Sequence, residues 1–410
     1  MADFYQTGVI STLHRLKVLD QTRIEHELQE FAVDYRIALV LPALYSELQG
    51  PALGPILDII TTIPYINEIV VTTDRATPEQ FEHAKKYFSR LPQDHCLIWN
   101  NGPRIQKLKE LIESNGLSLG QGGKGLSCWF AYGLILARRR SQVIALHDCD
   151  ILTYSQELLA RLCYPTANPN IDFEFCKGFY SRVANNRLHG RVTRLLVTPL
   201  IRSLQSIVGQ HPLLVYFDSF RYALAGEFSM RADLARVIRI PSDWGLEVGV
   251  LAEVYRNTAV KRIAQAELCE NYDHKHQALS AEDPTKGLVK MSIDITSSLL
   301  RTIASEGIEM SGGLLKTLQA QYVKTAENSV ARYYADAMIN GLDFDRHEEE
   351  TAVGAFTHAI RIASEKFLED PLGAPLIPNW NRITSAFPEF FDMLIEAVEE
   401  DNRKPVTARA

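Results

Sequence analysis

The sequence predicts an α/β protein: a mostly parallel sheet with helices on both faces, followed by a long helical region. Short apolar runs rich in β-formers alternate with amphipathic segments through residues 35–170. Those runs are almost wholly apolar rather than alternating, which is the pattern of strands covered on both faces. From about Met291 to Glu400 the pattern turns helical, with Glu, Ala, Leu and Lys prominent.

In chain order, residues 1–34 read as a helical lead-in. Strands are expected at 37–44 (IALVLPAL), 66–73 (INEIVVTT), 96–100 (CLIWN) and 142–146 (QVIAL). Between them, 78–91 has Pro near its start and apolar residues at helical spacing. Residues 104–114 and 125–140 supply the other connecting helices. Such alternation implies parallel strands, whose carboxyl ends form the ligand edge of the sheet. Residues 171–290 mix strands (173–179, 263–268) with helices (192–208, 246–256). Residues 291–400 are helical, and 401–410 are polar and expected to be a flexible tail.

Composition narrows the function. A net charge of −7 argues against a general nucleic-acid binder. The longest apolar stretch, 125–137, is too short to span a bilayer and runs into Arg138-Arg139-Arg140. Residues 1–30 carry charges among the apolar positions, so no signal pattern is expected. None of the six cysteines forms a CxxC pair, which fits reduced thiols in a cytoplasmic protein. Between Phe175 and Phe217 there is no acidic residue but six basic ones: Lys177, Arg182, Arg187, Arg191, Arg194 and Arg202. This island suits a small anionic ligand, or else a solvated face.

The sharpest motif is His147-Asp148-Cys149-Asp150, directly after the run QVIAL. A strand ending in DxD puts two carboxylates at the ligand edge, both able to turn towards a divalent ion shared with substrate phosphates. The plainer alternative is a loop with a helix-capping Asp. Gly122-Gly123-Lys124-Gly125 heads a helix, where backbone N–H groups and a lysine can meet a phosphate. It is not a Walker loop, because Ser118 and Gly125 stand where Gly and Ser/Thr are required. Gly190-Arg191-Val192-Thr193 likewise opens a helix and suits a phosphate or carboxylate, if it is more than a Thr cap. Asp273-His274-Lys275-His276 follows a strand, so one histidine can join Asp150 on a metal. Glu227 and Glu247, with Asp243 and Trp244, are candidates for holding sugar hydroxyls, or ordinary surface and capping groups.

Together these motifs resemble the glucosyl-3-phosphoglycerate synthase family, retaining glycosyltransferases with the GT-A fold. The likeness lies in PAL-x-x-E (Pro42, Ala43, Leu44, Glu47), GKG (Gly123 to Gly125), DxD (Asp148, Asp150), KGFYSR (Lys177 to Arg182) and GRVT-x-L (Gly190 to Leu195). It continues through AGEF (Ala225 to Phe228), GLEVG (Gly245 to Gly249), IAQ (Ile263 to Gln265) and the His274 cluster. The resemblance implies a nucleotide-sugar-binding domain at 35–170, an acceptor-binding and metal-completing region at 171–290, and a helical extension.

It further implies that Pro42, Ala43, Leu44, Glu47, Lys124 and Asp148 bind the donor. Asp150 and His274 would hold Mg²⁺ or Mn²⁺. Gly190, Arg191, Thr193 and His276 would bind 3-phosphoglycerate, and Asp150, Lys124 and Glu247 would carry catalysis. A homodimer is expected on the same ground. The chain departs from the family at Tyr45-Ser46, at Cys149, at His276 and through 75–121. UDP-glucose is favoured as donor, with a GDP-mannose-using mannosyl-3-phosphoglycerate synthase, a sugar-nucleotide pyrophosphorylase and a non-catalytic nucleotide-sugar binder as the alternatives.

Overall fold

A computed structural model describes residues 6, 8–120, 122–242, 244–274 and 287–403. Its centre is an eight-stranded sheet. The strands are β1 (Ser11–Leu13), β2 (Ile37–Leu44), β3 (Ile66–Asp74), β4 (Asp94–Trp99), β5 (Val143–Leu146), β6 (Phe175–Tyr180), β9 (Phe228–Arg231) and β10 (Ile263–Cys269), while β7 (Val183–Ala184) and β8 (Arg187–Leu188) form a separate hairpin. The order is β1-β10-β6-β9-β5-β2-β3-β4, and every pairing is parallel except those of β9 with β5 and β6. The interior of β2 is buried on both faces, which is why its sequence shows no alternation.

The helix Lys124–Arg138 is the apolar stretch noted above, and it is a core helix: its residues from Gly125 to Leu136 are buried. No helix among the described residues is long and apolar enough to cross a membrane. Trp380 stacks on Trp129 at 3.9 Å. The indole nitrogen of Trp129 donates to the Pro378 carbonyl at 2.8 Å, so this helix joins the sheet to the C-terminal helices.

Three readings need correction. The lead-in is not wholly helical. Beside the helix Gln21–Phe31 it contributes β1, whose Thr12 hydroxyl accepts from the Gln265 amide at 3.0 Å. Three residues are too few to show periodicity. For the same reason β9 went unanticipated. Asp401 and Asn402 are not part of a flexible tail, because they belong to the helix Phe390–Asn402, which ends by docking on the sheet, and 404–410 lie outside the described residues. The Asn402 side chain accepts from the Leu97 N–H at 3.0 Å and donates to its carbonyl at 2.7 Å, capping the free edge of β4.

Candidate active site

β5 ends by handing the chain to the DxD segment. His147 is fully buried, bonded through Nδ1 to the Asp148 carbonyl and through Nε2 to Tyr154. Burial pushes its pKa down to about 4, so it is a neutral structural pin. Beyond it, Ile151 pairs with His274 in an antiparallel bridge, and the Leu152 N–H donates to the Asp273 carbonyl at 2.8 Å. This pairing brings His274 Nδ1 to 3.4 Å from Asp150 Oδ2 across 124 positions of sequence. Asp150 Oδ1 is buried and has no hydrogen-bond partner among the described residues.

Asp148 has a different nearest partner. Its Oδ1 lies 2.6 Å from Lys124 Nζ, which also stands 3.4 Å from Glu247 Oε1. Each aspartate thus has its own nearest partner, the Lys124 ammonium for Asp148 and the His274 imidazole for Asp150. Gly226 makes room for Asp148: a Cβ there would lie 2.4 Å from its Oδ2. Burial opposes the Lys124 charge, but Asp148 and then Glu247 outweigh it and hold the ammonium well above its ordinary pKa. Burial likewise works against ionised Asp148, and Lys124 reverses that and lowers its pKa. Gly125 serves packing, since its Cβ would sit 2.0 Å from the Pro241 carbonyl oxygen.

These groups line one cavity of about 820 Å³ at the carboxyl ends of the strands, within the range of small-molecule sites. Pro42, Ala43, Leu44 and Glu47 line it from the end of β2, with Lys124, Asp148, Asp150, Glu247 and His274 beyond them and Gly190 and Arg191 further on. Thr193 does not line it. It follows Arg191 into a π-helical turn, Val192–Val197, and its buried side chain takes the packed face. His276, Lys275 and Asp243 lie outside the described residues.

The basic island divides. Arg182, Arg187 and Arg191 line the cavity. Lys177 is fully buried, 5.3 Å from the Phe228 ring centroid, and burial pushes its pKa down to about 8. Arg202 pairs with Asp218 at 2.9 Å. Glu227 also stands apart from the cavity lining. It is buried behind the floor, where Tyr180 and Tyr272 each donate to one of its oxygens at 2.6 Å.

Sequence reasoning missed two parts of the wall. Thr72, Asp74 and Arg75 close it at the end of β3, as the sheet-edge rule could have indicated. The C-terminal helices supply Lys290, Met291, Asp345, Glu348 and Glu349, for which no local motif gives a signal.

Asp150 and His274 are the residues here that could hold a divalent ion. A carboxylate beside an imidazole is a donor set that suits Mg²⁺ or Mn²⁺, and the unpartnered Asp150 oxygen fits that use. Among the described residues no cluster of three or more His, Cys, Asp or Glu could hold a metal on protein groups alone.

No family model matches the chain. Its fold matches that of Mycobacterium tuberculosis glucosyl-3-phosphoglycerate synthase, solved with Mn²⁺, UDP-glucose and phosphoglyceric acid. The TM-score is 0.53 at 20% identity, covering 72% of this chain and 88% of that one. The complex of the same enzyme with Mn²⁺, UDP and glucosyl-3-phosphoglycerate matches equally, also at TM-score 0.53. At that identity the likeness shows the fold, which is of the GT-A type. Closer in sequence is the glucosyl-3-phosphoglycerate synthase of Persephonella marina, 47% identical over 98% of this chain and 99% of its own. That of Methanococcoides burtonii is 40% identical over 97% and 98%. With relatives this similar over nearly its whole length, the chain belongs to the glucosyl-3-phosphoglycerate synthase family of glycosyltransferases.

Proposed function

We propose that the chain transfers glucose from UDP-glucose to the 2-hydroxyl of 3-phosphoglycerate, with retention at the anomeric carbon. The observation that carries this reading is one cavity holding a lysine–carboxylate cluster at Lys124, an Asp150–His274 pair and a cationic loop at Arg191. In the M. tuberculosis enzyme, whose fold this chain shares, UDP-glucose and phosphoglyceric acid are bound together.

Residues 35–170 hold the donor in this reading. Pro42, Ala43, Leu44 and Glu47 take the uridine and ribose, and Asp148 and Glu247 hold sugar hydroxyls. Both carboxylates face the same ammonium, which suits them to accept hydrogen bonds rather than to attack carbon. Residues 171–290 hold the acceptor, with Gly190 and Arg191 on its anionic groups and His276 assigned there from sequence. Residues 291–400 complete that end.

The bond from the anomeric carbon to the diphosphate breaks, and one to the acceptor 2-oxygen forms on the same face. The hydroxyl proton passes to the departing diphosphate oxygen. In this reading Lys124 offsets the charge growing on that oxygen. A divalent ion held by Asp150 and His274 would act as a Lewis acid on the diphosphate. The six free thiols support a reducing cytoplasm, and a homodimer belongs to the same proposal.

The test is incubation of purified protein with UDP-glucose, 3-phosphoglycerate and Mg²⁺, with and without chelator, and mass spectrometry for glucosyl-3-phosphoglycerate. Chelator-sensitive product is expected, with GDP-glucose and GDP-mannose in parallel arms. Faster turnover with a GDP-sugar would overturn the donor assignment, and retention is read from the anomeric proton coupling of the product.

A further inference from the structure

The cationic loop is not free-standing. The hairpin tip at Asn185 and Asn186 takes positive φ, and its Asn186 carbonyl accepts from the Asp343 N–H at 2.8 Å. That contact ties the loop to the start of the helix Arg346–Glu369. The first turn of this helix carries two adjacent carboxylates with different situations.

Glu349 is nearly inaccessible, with its side chain 5% exposed. Its Oε1 accepts from Arg191 Nε at 2.7 Å and its Oε2 lies 2.9 Å from Arg194 Nη1. Arg194 is itself fixed, because its Nε donates to the His189 carbonyl at 2.8 Å and its guanidinium lies 4.7 Å from the Tyr333 ring centroid. Glu349 is thus a rigid pivot that sets the direction of the Arg191 guanidinium. Glu348 is 43% exposed. It stands 2.8 Å from Arg191 Nη2 and 3.6 Å from Arg187 Nη1, on the cavity side.

We propose that Glu349 is a positioning residue that aims Arg191 at the acceptor. Glu348 is a displaceable carboxylate occupying the place of the acceptor's anionic group, and it leaves when that group binds. The inference rests on the acceptor assignment above and deepens it: the N-terminus of the helix Arg346–Glu369 becomes part of acceptor recognition. The chemistry is that of competing carboxylates. One buried anion held by two arginines cannot leave without stranding both, whereas an exposed anion exchanges with solvent or with an incoming phosphate.

The two neighbours must then act with opposite sign. Glu348→Gln removes a like charge and a competitor, so the KM for 3-phosphoglycerate should fall about two- to fivefold. Glu349→Gln unpins Arg191, so the same KM should rise roughly tenfold or more. Neither should move the UDP-glucose KM beyond about twofold, and Glu349→Asp, which keeps the charge, should recover part of the loss. Melting temperatures are taken alongside.

A Glu348→Gln enzyme whose acceptor KM is unchanged or raised overturns the proposal. So does a Glu349→Gln enzyme that weakens donor and acceptor equally. If Glu349→Gln fails to fold, exposed Glu348 alone decides. Wild-type protein that makes no glucosyl-3-phosphoglycerate sinks the acceptor reading itself, whereas wild-type turnover with unmoved constants in both variants sinks only this inference.

Discussion

Tyr180→Phe isolates one hydrogen bond behind the cavity floor. Glu227 is fully buried, and its two oxygens accept from Tyr180 and Tyr272 at 2.6 Å each. The two phenol rings stack with centroids 3.8 Å apart and planes 4° from parallel, so phenylalanine keeps the packing and loses only the O–H. Removing a donor from a buried carboxylate costs about 1.5–3 kcal/mol. At roughly 2.1 cal/mol/K of unfolding entropy per residue, this chain should lose about 2–4 °C in Tm.

The pH dependence gives the sharper check. Burial, and after it the charge of Asp148, raises the Glu227 pKa above its ordinary 4.5, while the phenols pull it down. A carboxyl whose folded pKa is raised contributes stability that is fully present below its unfolded pKa and is lost as pH rises through the folded one. Removing a phenol raises the folded value further. The deficit of the variant should therefore be wider where Glu227 is ionised and narrow on acidification as Glu227 takes up its proton. Differential scanning calorimetry with chelator present measures it without a metal charge nearby. A neutral-pH deficit under about 1 °C, or one that grows on acidification, would refute the reasoning.

Asp150→Ala should lower product formation by at least about a hundredfold while leaving Tm near wild type, because among the described residues Asp150 Oδ1 has no partner and Oδ2 has only the 3.4 Å contact with His274 to lose. Activity within a few-fold of wild type, or a loss that follows unfolding, would remove Asp150 from the reaction. Gly133→Ala tests the joint between the core helix and the C-terminal helices. Its Cβ would lie 2.1 Å from Trp380, overpacking that costs about 1–3 kcal/mol. A lowered Tm with a shifted tryptophan emission is expected, since Trp380 stacks on Trp129. An unchanged melt would mean that the indole moves aside freely.

The part of the site most directly legible in sequence was the one generated by a single strand and its following turn. The run 142–146 was readable because a strand buried on both faces must be apolar throughout, and DxD stood out against it. The separate partners of Asp148 and Asp150 were not readable from DxD alone. They are Lys124 and His274, which reach the site from other elements. The basic island was a correct sign of charge near the cavity but a poor guide to contact. Lys177, within it, is buried and depressed, and Arg202 is neutralised elsewhere. A count of charges along a segment carries no information on which side of a strand or helix each one leaves.

The C-terminal helices show the same limit at larger scale. Their sequence announces helices, through caps such as Asp345 with Glu348 and Glu349 in the first turn. Read locally, those two glutamates are what any helix N-terminus favours, and nothing marks them as a site. Only the fold shows that this helix begins against the hairpin β7–β8, so that dipole-favoured acids meet Arg191 and Arg187. The same residues then satisfy two demands, capping a helix and setting the charge of the cavity. The acceptor end of the cavity is therefore built by packing between distant segments, and its affinity should respond to substitutions in the helix Arg346–Glu369 as readily as to those in the Gly190–Arg191 turn.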